Sequence, residues 1–391
     1  DNGEYVTTLV ESWISDKEEV HYFYTDDRGF FIEIDSPDDL PDGKDLETKY
    51  GHLIEGLKEG REYLFLEITA PDGYVGYGWS DEEVREANQD ENLITESVRF
   101  TVEDGNVVAE HEMKDQRVVG NLVITKEGEV LVNAEVNVWD SIKGFFNTIF
   151  SYVTGRISNA SFDVYVREDI YWPDQTGTLA TYDNGTETVT LSKDTKVATI
   201  TTGLDGLATL EGLPLGQYYI VETGAGDGTF VLNDTVAEIN LAYQGQTVPV
   251  VVHDTTTYTN ARQKVQITVT KKSYYESEYA VLNTGEVYDE NGEDLTVPGA
   301  VFGLYTRDAI YGYEVAANGV ITENPDALIE AGTMIERVET GADGSVTFVS
   351  DLPNGTYILR EEEAPEGYLA SMEEYVFEAA YTGQDGPEVL E

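Results

Sequence analysis

The sequence predicts an all-β protein built as three tandem small β-sandwiches of the immunoglobulin-like kind. Three observations carry that expectation. The composition suits strands and tight turns: 40% of the 391 residues are hydrophobic, tyrosine occurs 26 times and glycine 37 times. Turn signals such as LDG, ADG, EDGN and PNG punctuate the chain at short intervals. The chain also repeats itself, which fixes how the strands group.

The repeats come in matched blocks. ASFDVYVREDIY (Ala160 to Tyr171) matches AVFGLYTRDAIY (Ala300 to Tyr311), and TGLDGLATLEGLPLGQYYIVE (Thr202 to Glu222) matches TGADGSVTFVSDLPNGTYILRE (Thr340 to Glu361). AYQGQTVPVVV (Ala242 to Val252) matches AYTGQDGPEVL (Ala380 to Leu390). Three blocks in one order make a duplication. The first part of the chain shares only the later blocks, HLIEGLKEGREYLFLEITAPDGY and SVRFTVEDGNVVAEHEMKD. The expected domains are therefore 1–117, lacking its first strand, 118–262, and 263–391, lacking its last strand. The joins are a few residues long, which suggests a stiff rod.

One segment departs from the strand pattern. WDSIKGFFNTIFSYV places Trp139, Ile142, Phe146, Ile149 and Val153 at helical spacing. The spacing predicts an amphipathic helix over 139–153, inserted early in the second sandwich. It would pack on its own sandwich or a neighbour, or else expose a docking face.

Charge and composition exclude several functions. The formal net charge is -53, so nucleic acid and anionic membrane are poor partners. No apolar run is long enough to span a bilayer, so membrane insertion is not expected. Cysteine is absent, which removes disulfides and thiolate metal sites. The chain opens on DNGEYV with no signal peptide and closes on PEVLE with no anchor, so a fragment of a longer protein is expected. Four histidines, His21, His52, His111 and His253, are scattered, and no nucleophile motif accompanies them. A turnover enzyme is not expected.

The chemistry lies in inward-facing polar residues. In YILREEEAPEGY, Tyr357, Leu359 and Glu361 share one strand face, and the same stretch recurs at YLFLEITAPDGY with Glu67 and at YYIVETGAGDGT with Glu222. In GNLVITKEG, Leu122, Ile124 and Lys126 alternate onto one face, and in VQITVTKKS so do Ile267, Val269 and Lys271. A lysine among core residues is costly to bury, and burial favours its neutral amine. In TTYTNAR, Thr256, Tyr258 and Asn260 share a face, and in AEHEMKD, His111, Met113 and Asp115 do. Asn260 precedes Lys271 by the interval that separates Asp115 from Lys126, so Asp115 and Asn260 are equivalent positions. An Asp/Asn alternation suits an acyl group open to attack. A desolvated amine is the nucleophile, and an inward glutamate polarises the carbonyl and relays protons. The expected product is an intramolecular isopeptide bond.

The Y-x-φ-x-E-x-x-A-P-x-G-Y box, with a strand lysine before it and an Asn or Asp after it, resembles that of the collagen-adhesin B-type, prealbumin-like domains. These occur in sortase-assembled pilins and surface adhesins of Gram-positive bacteria. The resemblance covers essentially the whole chain. It implies that the box glutamate catalyses a lysine–Asn/Asp bond joining the first and last strands. Carried over by position, the second domain holds the full set: Lys126, Glu222 and Asn260. Its box departs after the glutamate, with GAGDGT for APEGY. The first domain has Glu67 and Asp115, but Lys17 in SDKEE is a poor lysine. The third has Lys271 and Glu361, with Lys272 facing the other way, and its acceptor is expected about ten residues past Glu391 by the family's spacing. Asp115 and Lys271 are thus unpaired cross-link candidates.

The resemblance implies a stalk or shaft segment of a cell-wall-attached adhesin or pilus-like protein, extracellular, with adjoining domains of a longer chain as its partners. The alternative is an adhesin module that binds a host protein or glycan through sandwich loops or the 139–153 helix. No cofactor is implied. Calcium has two weak acidic candidates, Asp35, Asp38, Asp39 and Asp42 in DSPDDLPDG, and Asp289, Asn291 and Glu293 in YDENGED. Neither completes an EF-hand loop, so both read as solvated turns. NGT and NDT match glycosylation acceptors but read as turn residues in a bacterial protein.

Overall fold

The computed structural model describes residues 9–14, 19–67, 70–76, 96–102, 115–140, 145–174, 176–245, 251–273 and 296–390. The described residues form strands and turns, with one 3-10 turn at Pro37–Asp39. Among them no helix is long and apolar enough to cross a membrane. The chain resolves into two compact units, one of Asp1–Val118 with Gln244–Val250 and one of Val119–Tyr243 with Val251–Glu391. The second and third segments thus fall in one unit.

The first unit is a set of short ladders. β1 (Val20–Thr25) lies between β2 (Phe31–Ile34) and β3 (Glu47–Tyr50). β4 (Glu62–Glu67) pairs with a later strand, β6 (Glu96–Thr101), and β5 (Tyr74–Gly76) pairs with β7 (Asp115–Arg117).

The second unit starts with β8 (Val119–Asp140) and β9 (Phe145–Arg156), which form a long antiparallel hairpin. This overturns the predicted helix over 139–153. Along β9, Thr148 and Phe150 are buried, whereas Ile149 is 44% exposed and Val153 41%. Two positions on the expected helical stripe thus face solvent. The segment is rich in Phe, Ile, Thr, Tyr and Val, which suit a pleated surface. Pairing with the far half of β8 satisfies its backbone and settles the choice.

The near half of β8 builds the second sandwich. It sits between β14 (Leu207–Pro214), antiparallel, and β17 (Val251–Asn260), parallel. The facing sheet runs β13 (Lys196–Thr201), β10 (Ala160–Val166), β15 (Gly216–Ala225), β16 (Ala237–Leu241). A small ladder of β11 (Thr181–Asp183) and β12 (Thr188–Thr190) lies in the connection. Between the sheets pack Leu122, Ile124, Phe162, Val164, Tyr218 and Ile220. Their strict alternation along β8, β10 and β15 is the period-2 pattern of strands buried on one face.

The third segment repeats the plan. Its main sheet is β23 (Met334–Glu339), β20 (Val301–Thr306), β25 (Gly355–Glu363), β26 (Glu374–Ala379). Among the described residues the opposing layer has two short ladders: β18 (Lys264–Val265) with β27 (Val389–Leu390), and β19 (Thr268–Thr270) with β24 (Ser345–Thr347). β21 (Tyr313–Val315) and β22 (Ile321–Glu323) form a side hairpin. The far half of the β8–β9 hairpin completes the core, adding Leu131 and Phe150 to Phe302, Leu304, Tyr357 and Leu359. Thr148 Oγ1 donates to the Ile335 carbonyl at 2.8 Å, and Ser350 Oγ donates to the Thr148 carbonyl at 3.1 Å. At the join, buried Arg262 lies 3.8 Å over the Tyr152 ring and pairs with Asp351 at 2.6 Å. These contacts tie the two segments together across the join.

Candidate functional site

The site forms where strand alternation sends polar residues into the second sandwich. On β15, Tyr218, Ile220 and Glu222 face inward in turn. Tyr218 opens this row, and its hydroxyl donates to the Pro214 carbonyl at 2.6 Å. Its counterpart Tyr357 donates likewise to Pro353 at 2.6 Å. Burial pushes both phenols well above their usual range. On β8 the inward row is Leu122, Ile124, Lys126, Gly128. On β17 it is Tyr258 and Asn260. The parallel register sets Tyr258 opposite Lys126 and Asn260 opposite Gly128.

The three polar side chains meet around one carboxylate. Lys126 Nζ lies 3.3 Å from Glu222 Oε1, and both side chains are fully buried. Asn260 Nδ2 donates to Glu222 Oε2 at 2.6 Å, and Asn260 is 2% exposed. The backbone N–H of Asn233 donates to the same oxygen at 2.7 Å. Lys126 Nζ also donates to the Glu127 carbonyl at 3.3 Å. Asn260 Oδ1 is buried and accepts no hydrogen bond among the described residues. Burial brings the Lys126 amine down to about 8, against the opposing pull of the Glu222 charge. The neutral amine is therefore more accessible near neutral pH than that of an ordinary lysine.

Further residues build the walls, among them Phe230 and Gly128, which the sequence reading did not single out. Tyr258 donates its hydroxyl to the Ile220 carbonyl at 2.8 Å and accepts from Ala237 N–H at 3.0 Å, tying β17 to the facing sheet. The Phe230 ring lies 5.9 Å from Lys126 Nζ and roofs the amine. Gly128 makes room for it, since a Cβ there would fall 2.3 Å from that ring. Asn233 Nδ2 donates to the Thr259 carbonyl at 3.0 Å, so the loop that orients Glu222 is tied to the acceptor strand. The clue to Phe230 is its place one residue beyond that of the box's closing tyrosine. The second-segment NDT acceptor motif is this turn, with Thr235 N–H donating to Asn233 Oδ1 at 2.9 Å.

The other expected sites are less complete. In the third segment, Lys271 Nζ lies 2.8 Å from Glu361 Oε1, and Ser371 N–H donates to Oε2 at 2.8 Å. The Lys271 side chain keeps 17% of its exposure. β27 pairs parallel to β18, as β17 does to β8. In the first unit, Glu67 ends β4 opposite Glu96, and Asp115 opens β7 opposite Gly76, on two different ladders. Lys17 lies outside the described residues, as do Asp289, Asn291 and Glu293. Asp38 and Asp39 sit in the 3-10 turn, where Asp38 N–H donates to Ser36 Oγ at 3.0 Å. Among the described residues, Asp35, Asp38, Asp39 and Asp42 included, no three acidic or histidine side chains converge as a metal site.

Comparison with known proteins places the chain. No curated protein matches it. Among solved structures it is similar to the Bacillus anthracis TIE protein, with 19% identity over 93% of this chain and a TM-score of 0.42; it spans 45% of that chain's length. It is also similar to GBS52, a minor pilin of Streptococcus agalactiae (16% identity, 67% of this chain and 91% of that one, TM-score 0.21). A third is the shaft pilin SpaA of Lactobacillus rhamnosus GG (16% identity, 68% of this chain and 95% of that one, TM-score 0.21). The model of the SpaA prealbumin-like fold domain matches residues 151–256 and again 284–387, together more than half of the chain. The chain therefore belongs to the SpaA family of prealbumin-like fold domains.

Proposed function

We propose that the chain is a stalk or shaft segment of a Gram-positive surface adhesin or pilus-like protein, and that its second sandwich carries an autocatalytic isopeptide bond between Lys126 and Asn260. On this reading 1–117, 118–262 and 263–391 are three copies of one module. The setting is extracellular and cell-wall-attached, and the partners are adjoining domains of the same longer chain. The family match supports the architecture. The observation that carries the bond is one fully buried carboxylate touching both an amine and a carboxamide.

The steps balance as an acyl transfer without an added reagent. Glu222 takes a proton from Lys126, leaving a neutral amine beside a carboxylic acid in a site closed to water. The amine attacks Asn260 Cγ, and the protonated carboxyl stabilises the developing oxyanion. The C–Nδ2 bond breaks, Glu222 shuttles a proton to the leaving nitrogen, and ammonia departs. One amide replaces another, so nothing is oxidised or reduced.

The bond would join neighbouring parallel strands at the two ends of the module. By the loop-closure reasoning used for disulfides it contributes on the order of 5 kcal/mol. Under tension it carries load between the module's ends without unzipping the sheets. It does this without cysteine and independently of redox state. The test is intact mass. The chain is expected to weigh about 17 Da less than its sequence, one ammonia lost in acyl transfer, and the deficit should vanish in Lys126→Ala and in Glu222→Ala. A full sequence mass in the unmutated chain removes the proposal.

A further inference from the structure

The loop that roofs Lys126 is held from outside by the third segment. Gln384 grips both of its ends: Ala225 N–H donates to Gln384 Oε1 at 3.1 Å, Gln384 Nε2 donates to the Thr223 carbonyl at 3.3 Å, and Leu232 N–H donates to the Gln384 carbonyl at 2.9 Å. Tyr381 donates its hydroxyl to the Phe230 carbonyl at 2.5 Å. Phe230 packs in a cluster with Val130, Ile157 and Ala225, against Tyr313, Val315 and Ile321 of the third segment.

The turn that supplies these groups is itself fixed. Gln263, fully buried at the join, donates from Nε2 to Thr382 Oγ1 and to the Pro387 carbonyl, both at 2.8 Å, and accepts Thr382 N–H at 3.0 Å. Gly383 turns the chain at φ +103°, a conformation that glycine adopts without strain. Gln263 N–H also donates to the Thr229 carbonyl at 2.7 Å, so join, turn and roof form one network.

The third segment's own box loop shows the same element uncovered. There Leu369 is 94% exposed and Met372 95%. Apart from Ser371 N–H, which reaches Glu361, its hydrogen bonds among the described residues run from Tyr368 N–H to the Pro365 carbonyl and from Glu373 N–H to Ser371 Oγ. Beneath it the Lys271 side chain is partly exposed, whereas that of Lys126 beneath the clamped loop is fully buried.

We propose that the Tyr381–Gln384 turn is a positioning element for the second sandwich's cross-link: by clamping the Thr223–Leu232 loop it seats Phe230 over Lys126, so bond formation in one sandwich waits for the next to fold against it. The turn touches neither reacting group and acts through the loop. This rests on the isopeptide reading above. An unclamped loop admits water, the amine holds its proton more tightly, and the neutral nucleophile becomes scarce at neutral pH. A shaft built this way closes its bonds in order, each after its successor has docked.

The test follows loss of ammonia by intact mass while the full chain refolds from denaturant, for wild type, Gln384→Ala and Tyr381→Phe, at pH from about 7 to about 9.5. Far-ultraviolet circular dichroism reports sheet formation in the same samples. The variants are expected to regain their sheets but to cross-link at least about tenfold more slowly at pH 7, with the gap narrowing as pH rises and the exposed amine deprotonates. Cross-linking at the wild-type rate in both variants overturns the inference alone. A slowing that is equal at every pH, or a loss of sheet, marks a folding defect and overturns it too. If wild type itself loses no ammonia, the underlying reading falls and takes the inference with it.

Discussion

The second and third segments carry the same lysine–glutamate pair and differ in what surrounds it. Glu222 and Glu361 occupy equivalent strand positions, and each accepts a backbone N–H from the loop that follows, Asn233 or Ser371. Each faces a lysine from the opposite sheet. Only around Glu222 do the described contacts add a carboxamide, that of Asn260. Among the described residues, only there does an aromatic ring, pinned by the neighbouring segment, lie over the buried amine. The ion pair is thus a product of strand alternation alone. The sealed, acyl-bearing site needs the loop and the adjacent segment as well.

The sharpest way to probe this contrast is pH. With no acceptor, Asn260→Ala leaves the Lys126 amine buried and titratable. Its folded value is down to about 8 against 10.5 in the unfolded chain, so between these values the unfolded chain binds more protons. Stability must then rise with pH, by on the order of 3 kcal/mol across the full window. The burial cost is fully felt below pH 8 and relieved above it. Urea denaturation of Asn260→Ala, referenced to Lys126→Met/Asn260→Ala to cancel the tyrosines, is expected to show this rise. A flat difference would mean that the Lys126 amine is not desolvated in the folded chain.

The roof comes next in size. A Cβ at Gly128 would collide with the Phe230 ring, so Gly128→Ala must push the ring off the amine or shift β8. A cost of about 2 kcal/mol in denaturation, typical of overpacking, and a slower ammonia loss are expected together. Full tolerance would show that the roof adapts freely.

The smallest effect concerns the join. Arg262→Met keeps the packing stem but loses the stacking on Tyr152 and the pair with Asp351, which is half-exposed. A loss of about 1 kcal/mol is expected, with thermal unfolding of the third core separating from that of the second. An unchanged single transition would show that the β8–β9 hairpin alone couples the two cores.

Much of the site was legible in the sequence because strand alternation is a local rule. Glu222 shares its face with Tyr218 and Ile220, and Lys126 shares its face with Leu122 and Ile124, so both lie inward wherever the strands form. Asn260 followed from equal spacing across two joins. The 139–153 segment was misjudged because its apolar residues satisfy two periods at once. Trp139, Ile142, Phe146, Ile149 and Val153 fit a helix, while Thr148, Phe150 and Tyr152 fit one face of a strand. The decision belonged to a partner strand and to a core in the next segment, neither visible in a local window. The clamp was hidden for a related reason. Tyr381 and Gln384 sit in a polar turn whose hydrogen-bond partners lie in a different repeat, so no spacing points to them.

The central claim is a covalent bond between Lys126 and Asn260, and the most direct measurement is a protease digest of the intact chain read by tandem mass spectrometry. A branched peptide joining the Lys126 and Asn260 segments, lighter than their sum by one ammonia and accompanied by a linear Lys271 peptide, is the expected result. Linear peptides for both Lys126 and Asn260 would contradict the account.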